Sequence, residues 1–103
     1  MIAAADLAAR LEPLVPIGRG PRGTTRLAWT DEEAAAGEWF REQAAGAGLR
    51  VARDPAGSLW AVPGSPPPWW AVGSHLDSVR EGGRFDGALG VAAAFAVAEV
   101  IAA

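Results

Sequence analysis

Apolar positions recur at helical spacing in two stretches of the chain and surround a third. Over residues 3–14, Leu7, Leu11 and Leu14 fall four and three apart, with Asp6 early and Arg10 on another face. That spacing predicts an amphipathic surface helix, ended by Pro13 and Pro16. A second helix is predicted over residues 31–47. Thr30-Asp31-Glu32-Glu33 has the form of a capping box, with Thr30 accepting from the Glu33 amide and Glu33 reaching back, and its acids sit at the positive end of the helix dipole. Ala36, Phe40, Ala44 and Ala47 form one stripe with Trp39 beside it, Glu38 and Arg41 lie outside it, and Gly46 and Gly48 stop the helix. Residues 88–103 are apolar on every face except at Glu99, which predicts a helix buried against a sheet and neighbours. At about 24 Å such a helix is too short to cross a bilayer. With no polar last turn, it calls for cover from a missing segment or a partner.

Between the helices the period changes to two. Residues 49–53 alternate, Asp54-Pro55-Ala56-Gly57 is a turn sequence, and residues 58–62 are extended and apolar, which together predict a β-hairpin. A proline-rich break over residues 63–68 separates the hairpin from residues 69–73, which read as a buried strand. Trp69 and Trp70 fit core or interface packing better than a ligand-stacking surface. Residues 17–26 carry three glycines and three arginines without periodicity and read as a solvated loop. The order helix, loop, helix, hairpin, strand, loop, helix predicts an α/β fold with a mixed sheet and flanking helices.

Composition narrows the function classes. The chain has 103 residues, half of them apolar and a fifth charged, enough for one soluble globular domain but short for a complete active site. Nine basic and twelve acidic residues leave a net charge of −3, which excludes a positive field for nucleic acid. There is no cysteine, so any metal must be held by oxygen and imidazole nitrogen. Asp6, Arg10 and Glu12 interrupt the N-terminal run, which reads as a cytoplasmic start rather than a signal peptide. No membrane role is expected.

The candidate chemistry lies in residues 73–87, Gly-Ser-His-Leu-Asp-Ser-Val-Arg-Glu-Gly-Gly-Arg-Phe-Asp-Gly, which hold the sole histidine. Sites in open α/β sheets gather beyond the carboxyl ends of strands, where this stretch is placed. His75 and Asp77 are two apart, so in extended backbone they share a side, and Asp77 can accept from the imidazole N–H that does not face a metal. Asp86 can offer one oxygen to each of two metal ions, and the glycines leave room for the loop to close around them. Blander readings stand beside this one. A His-x-Asp sequence also describes an ordinary hydrogen-bonded pair, and Asp86 also suits a helix N-cap. Ser74 and Ser78 lack the strand-turn-helix elbow of a serine nucleophile.

Residues 23–30, Gly-Thr-Thr-Arg-Leu-Ala-Trp-Thr, and residues 73–91 resemble two signatures of the M20-type binuclear metal amidohydrolases, the group of N-carbamoyl-L-amino-acid hydrolases and allantoate amidohydrolases. Ser58 departs from the asparagine often found there. The resemblance implies a partial zinc-peptidase-like catalytic domain, with residues 1–103 as its N-terminal part and the lid or dimerisation domain absent. It implies His75 as a ligand of one metal, Asp86 as the bridge between two, and Asp77 as the residue that orients His75. The implied cofactors are two divalent ions, zinc, manganese, cobalt or nickel. The implied reaction is attack of metal-activated water on a carbamoyl, ureido or amidine carbon of a small-molecule substrate, with release of ammonia. A strained, cis peptide bond after Asp86 is also implied. The general base, the remaining ligands and the substrate clamp lie outside this chain, so the chain alone is expected to be inactive, to bind metal weakly and to need its C-terminal part, in a homodimeric parent. An aminoacylase or dipeptidase of the same superfamily is the alternative enzyme, and a non-catalytic remnant or split subunit is the alternative outside enzymes.

Overall fold

The computed structural model describes residues 1–102. Helix α1, Ala4–Leu11, opens with the Ala3 amide donating to the Asp6 carboxylate at 3.1 Å. Pro13 has no amide to donate, and the chain tightens into a 3₁₀ turn over Glu12–Leu14. Leu11 and Leu14 turn into the core.

Residues 17–26 are not a plain loop. They fold into a short antiparallel pair, β1 (Arg19–Gly20) and β2 (Gly23–Thr24). Thr24 is bridged to Gly82 by two 2.8 Å amide-to-carbonyl bonds, and the Glu81 amide donates to the Thr25 hydroxyl at 2.9 Å. Periodicity has no purchase on strands of two residues, so the pair shows only in its backbone partners.

Helix α2, Asp31–Gly46, begins at Thr30, whose hydroxyl accepts from the Glu33 amide at 3.4 Å. Glu33 reaches back one residue further than the capping box predicts, accepting from the Trp29 amide at 2.6 Å. Trp29 has φ of 67°, which turns its amide toward that carboxylate. At the other end Gly48 takes φ of 72°, Gly48 N–H donates to Ala45 and Leu49 N–H to Ala44, the two bonds of a Schellman cap.

The hairpin is β3 (Arg50–Arg53) with β4 (Leu59–Val62), antiparallel with Val51 opposite Ala61. Its turn closes with Gly57 N–H donating to Asp54 O at 2.9 Å. Helix α3, Ala88–Ala102, buries Ala88, Val91, Ala92, Phe95 and Ala96. The predicted last position, Ala103, lies outside the described residues. Phe95 meets Trp39 and Phe40 edge-on, with ring centroids 6.2 and 5.0 Å away, and so joins α3 to α2. Arg10 forks onto Glu99 at 2.6 and 3.1 Å and reaches Gln43 at 2.7 Å, tying the three helices together at one end. Only one face of α3 is covered; Val97, Val100 and Ile101 are exposed.

The α/β class is thus present as helices with two small antiparallel sheets rather than one mixed sheet. Residues 69–73 carry no strand pairing and are exposed, with Trp70 fully open and Val72 at 69%. A strand of that apolarity needs neighbours on both sides, and neither two-stranded sheet extends to it.

Candidate metal centre

The segment from Leu76 to Gly82 is held in place by the first third of the chain. Ser78 N–H donates to Arg26 O at 2.7 Å, and Arg26 N–H donates to the Ser78 hydroxyl at 2.8 Å. That hydroxyl also lies 3.0 Å from Thr24 O and 2.8 Å from Val79 O as acceptors. Ser78 is therefore a buried clasp and not a nucleophile. Arg22 forks onto Glu81 at 2.8 and 2.9 Å, which holds the Glu81 carboxyl below the usual carboxylate range. Gly23 is required at this crossing: its φ is 148°, and a Cβ there would sit 2.7 Å from Glu81 O.

On this frame the ring of His75 stands between two aspartates. Nδ1 is 2.9 Å from Asp77 O and 3.2 Å from Asp77 Oδ1, while Nε2 faces Asp86 Oδ1 at 3.7 Å. The ring thereby presents one nitrogen to an orienting residue and the other to a carboxylate too distant for a hydrogen bond. Gly87, at the start of α3, takes φ of 77° and lies against the ring; a Cβ there would be 2.5 Å from Nδ1. The peptide bond between Asp86 and Gly87 is trans, contrary to the implied cis bond; among the described residues the cis bond joins Pro67 to Pro68. The unusual backbone at the site is carried by the left-handed glycine instead.

The donor set suits a divalent ion in part. A nitrogen and an oxygen bound to one zinc at about 2.0–2.2 Å in tetrahedral geometry lie about 3.4 Å apart, close to the separation of Nε2 and Oδ1. Among the described residues no group of three His, Cys, Asp or Glu side chains converges. His75 and Asp86 thus supply two donors and not a closed site. Their side chains, at 49% and 66% exposure, face open surface.

Sequence reasoning placed His75, Asp77 and Asp86 but missed Arg26. Its residue is only 4% exposed, its Nη1 donates to Leu76 O at 3.1 Å, and its Nη2 donates to Leu14 O and Ile17 O at 3.0 Å. Burial lowers its pKa from the usual arginine value. The lone arginine between two threonines and an apolar leucine was the available signal.

A clamped loop thus offers an imidazole and a carboxylate side by side, donor types that suit a divalent ion. Comparison with known proteins makes this specific. No family model matches the chain. It is 46% identical over 85 residues to an N-carbamoyl-L-amino-acid amidohydrolase of Paenarthrobacter aurescens, a match covering 80% of this chain and 20% of that protein. It is 42% identical over 105 residues to an N-carbamoyl-L-amino acid amidohydrolase of Geobacillus stearothermophilus, covering 98% of this chain and 26% of that protein. A hydantoinase/carbamoylase family amidase from Burkholderia ambifaria superposes with a TM-score of 0.86 at 37% identity, covering 98% of this chain and 26% of that one. The chain's relatives are therefore amidohydrolases of the hydantoinase/carbamoylase family, as the resemblance implied, and the chain spans about a fifth to a quarter of their length.

Proposed function

We infer that this chain carries one side of the metal site of an amidohydrolase acting on C–N bonds other than peptide bonds, with N-carbamoyl-L-amino acids or related ureido compounds as substrates. The observation that carries the reading is the bracketing of His75, Nδ1 on Asp77 and Nε2 toward Asp86. The names of the relatives support the bond class and the substrate class. His75 and Asp86 would hold divalent ions, with Asp86 as the bridge between two. Such ions would polarise the substrate carbonyl and activate water. Asp77 would hold the ring with Nε2 turned toward Asp86, and Gly87 and the Ser78 clasp keep the ring and loop in register. The remaining donors and the general base come from sequence corresponding to the rest of the relatives' length, so the chain alone is expected to be inactive.

The test is a chimera in which this chain replaces the aligned segment of the Geobacillus stearothermophilus relative. Ammonia release from N-carbamoyl-L-amino acids, lost in the His75→Ala and Asp86→Ala chimeras, supports the reading. Hydrolysis of N-acyl amino acids or dipeptides but not of ureido compounds favours the aminoacylase or dipeptidase alternative. A folded, inactive chimera contradicts both and favours a non-catalytic remnant.

A further inference from the structure

Arg26 is a buried cation with no carboxylate partner among the described residues, an arrangement that costs stability unless dipoles compensate it. Three main-chain carbonyls do so, from Leu14, Ile17 and Leu76. Two of them belong to the turn after α1. The third belongs to the peptide that leads from Leu76 into Asp77, the residue facing Nδ1 of His75. Nε has no hydrogen-bond partner, so the full donor set of the guanidinium is not what the site uses. What it uses is the fork, which spans segments 50 and 12 residues away in sequence. A lysine ammonium, a point charge on a flexible stem, does not reproduce that span. The main chain of Arg26 adds a second hold two residues on, through its paired bonds with Ser78. Leu76 is thus fixed from one side and Ser78 from the other, and Asp77 between them has little freedom to turn.

We propose that Arg26 is a positioning residue for the metal centre: its guanidinium fixes the Leu76 carbonyl, which sets Asp77 against Nδ1 of His75 and leaves Nε2 bare toward Asp86. The inference rests on the reading of His75 as a metal ligand, but its test requires neither metal nor turnover. His75 is the only histidine, so its ring nitrogens are unambiguous in a nitrogen-15 spectrum. The metal-free 103-residue chain and its variants are measured at one fixed alkaline pH. The unmutated chain is expected in the Nδ1–H tautomer. In Arg26→Lys and Arg26→Met, checked for folding by circular dichroism, the Nε2–H tautomer becomes the major form, while the surface control Arg53→Met stays as the unmutated chain.

A folded Arg26 variant that keeps the Nδ1–H form overturns the proposal and leaves the metal reading standing. An unmutated chain already in the Nε2–H form contradicts the His75 orientation and overturns both. Failed metal binding with the expected tautomers counts against the metal reading alone. If neither variant folds, the unmutated chain decides. Slow rotation of the Arg26 guanidinium, with a coupling from Nη1 to the Leu76 carbonyl, supports the clamp; rotation as fast as in the exposed arginines overturns it.

Discussion

Gly87 and His75 are fitted to one another: the glycine backbone, at φ of 77°, occupies the space beside the imidazole where a Cβ would lie 2.5 Å from Nδ1 and Cε1. One residue thus serves both the start of α3 and the packing of the ring. Gly87→Ala adds left-handed strain and a steric overlap at once. A loss of roughly 1–3 kcal/mol is expected from urea denaturation, together with a displaced His75 resonance.

Asp77 touches the ring through both its carbonyl and its carboxylate oxygen, at 2.9 and 3.2 Å. Asp77→Asn keeps the carbonyl contact and removes the charge that would support the ring as a ligand. In an active chimera the variant should fold and retain metal with an activity or affinity penalty of roughly 10–100-fold. Metal titration alongside turnover checks this, and an unchanged affinity would place the orienting role in the carbonyl alone.

Phe95 is the contact that couples the helix following the His75–Asp86 loop to α2. Phe95→Ala is expected to cost about 3–5 kcal/mol, a large share of the stability of a domain this size. Thermal melts should show the chain mostly unfolded, and a variant close to the unmutated melting temperature would show that this packing contributes little.

Asp54 accepts from the Trp60 indole N–H at 3.0 Å and from the Ser58 amide at 2.9 Å, which holds its carboxyl below its ordinary value near 3.8. The folded pKa is depressed, so this stabilisation is present above pH 3.8 and is lost as pH falls through the lower folded value. The Trp60 indole N–H resonance should move across that acid window in the unmutated chain and stay flat in Asp54→Asn.

Those elements whose logic is local were legible in the sequence. The Thr30 cap, the Gly48 stop and the Asp54 to Gly57 turn set α2 and the β3–β4 hairpin within a residue or two of their predicted bounds. The closeness of His75 to Asp77 was legible from their spacing of two, and the approach of Asp86 to the other side of the ring is what the structure adds. Non-local pairing was not legible. The bonds from Thr24 to Gly82 and from Arg26 to Leu76 join residues about fifty or more positions apart, and no spacing within residues 17–26 announces them. The predicted strand over residues 69–73 fails for the converse reason: its apolar sequence asks for neighbours that lie on neither hairpin.

The most direct test of the proposed metal centre is a zinc titration of the chain followed on the two ring nitrogens of His75. Binding is expected to be weak, with the Nε2 signal shifted as zinc is added, the Nδ1–H signal retained, and the response abolished in Asp86→Ala. A response at Nδ1, or one at Nε2 that survives in Asp86→Ala, would contradict a site shared by His75 and Asp86.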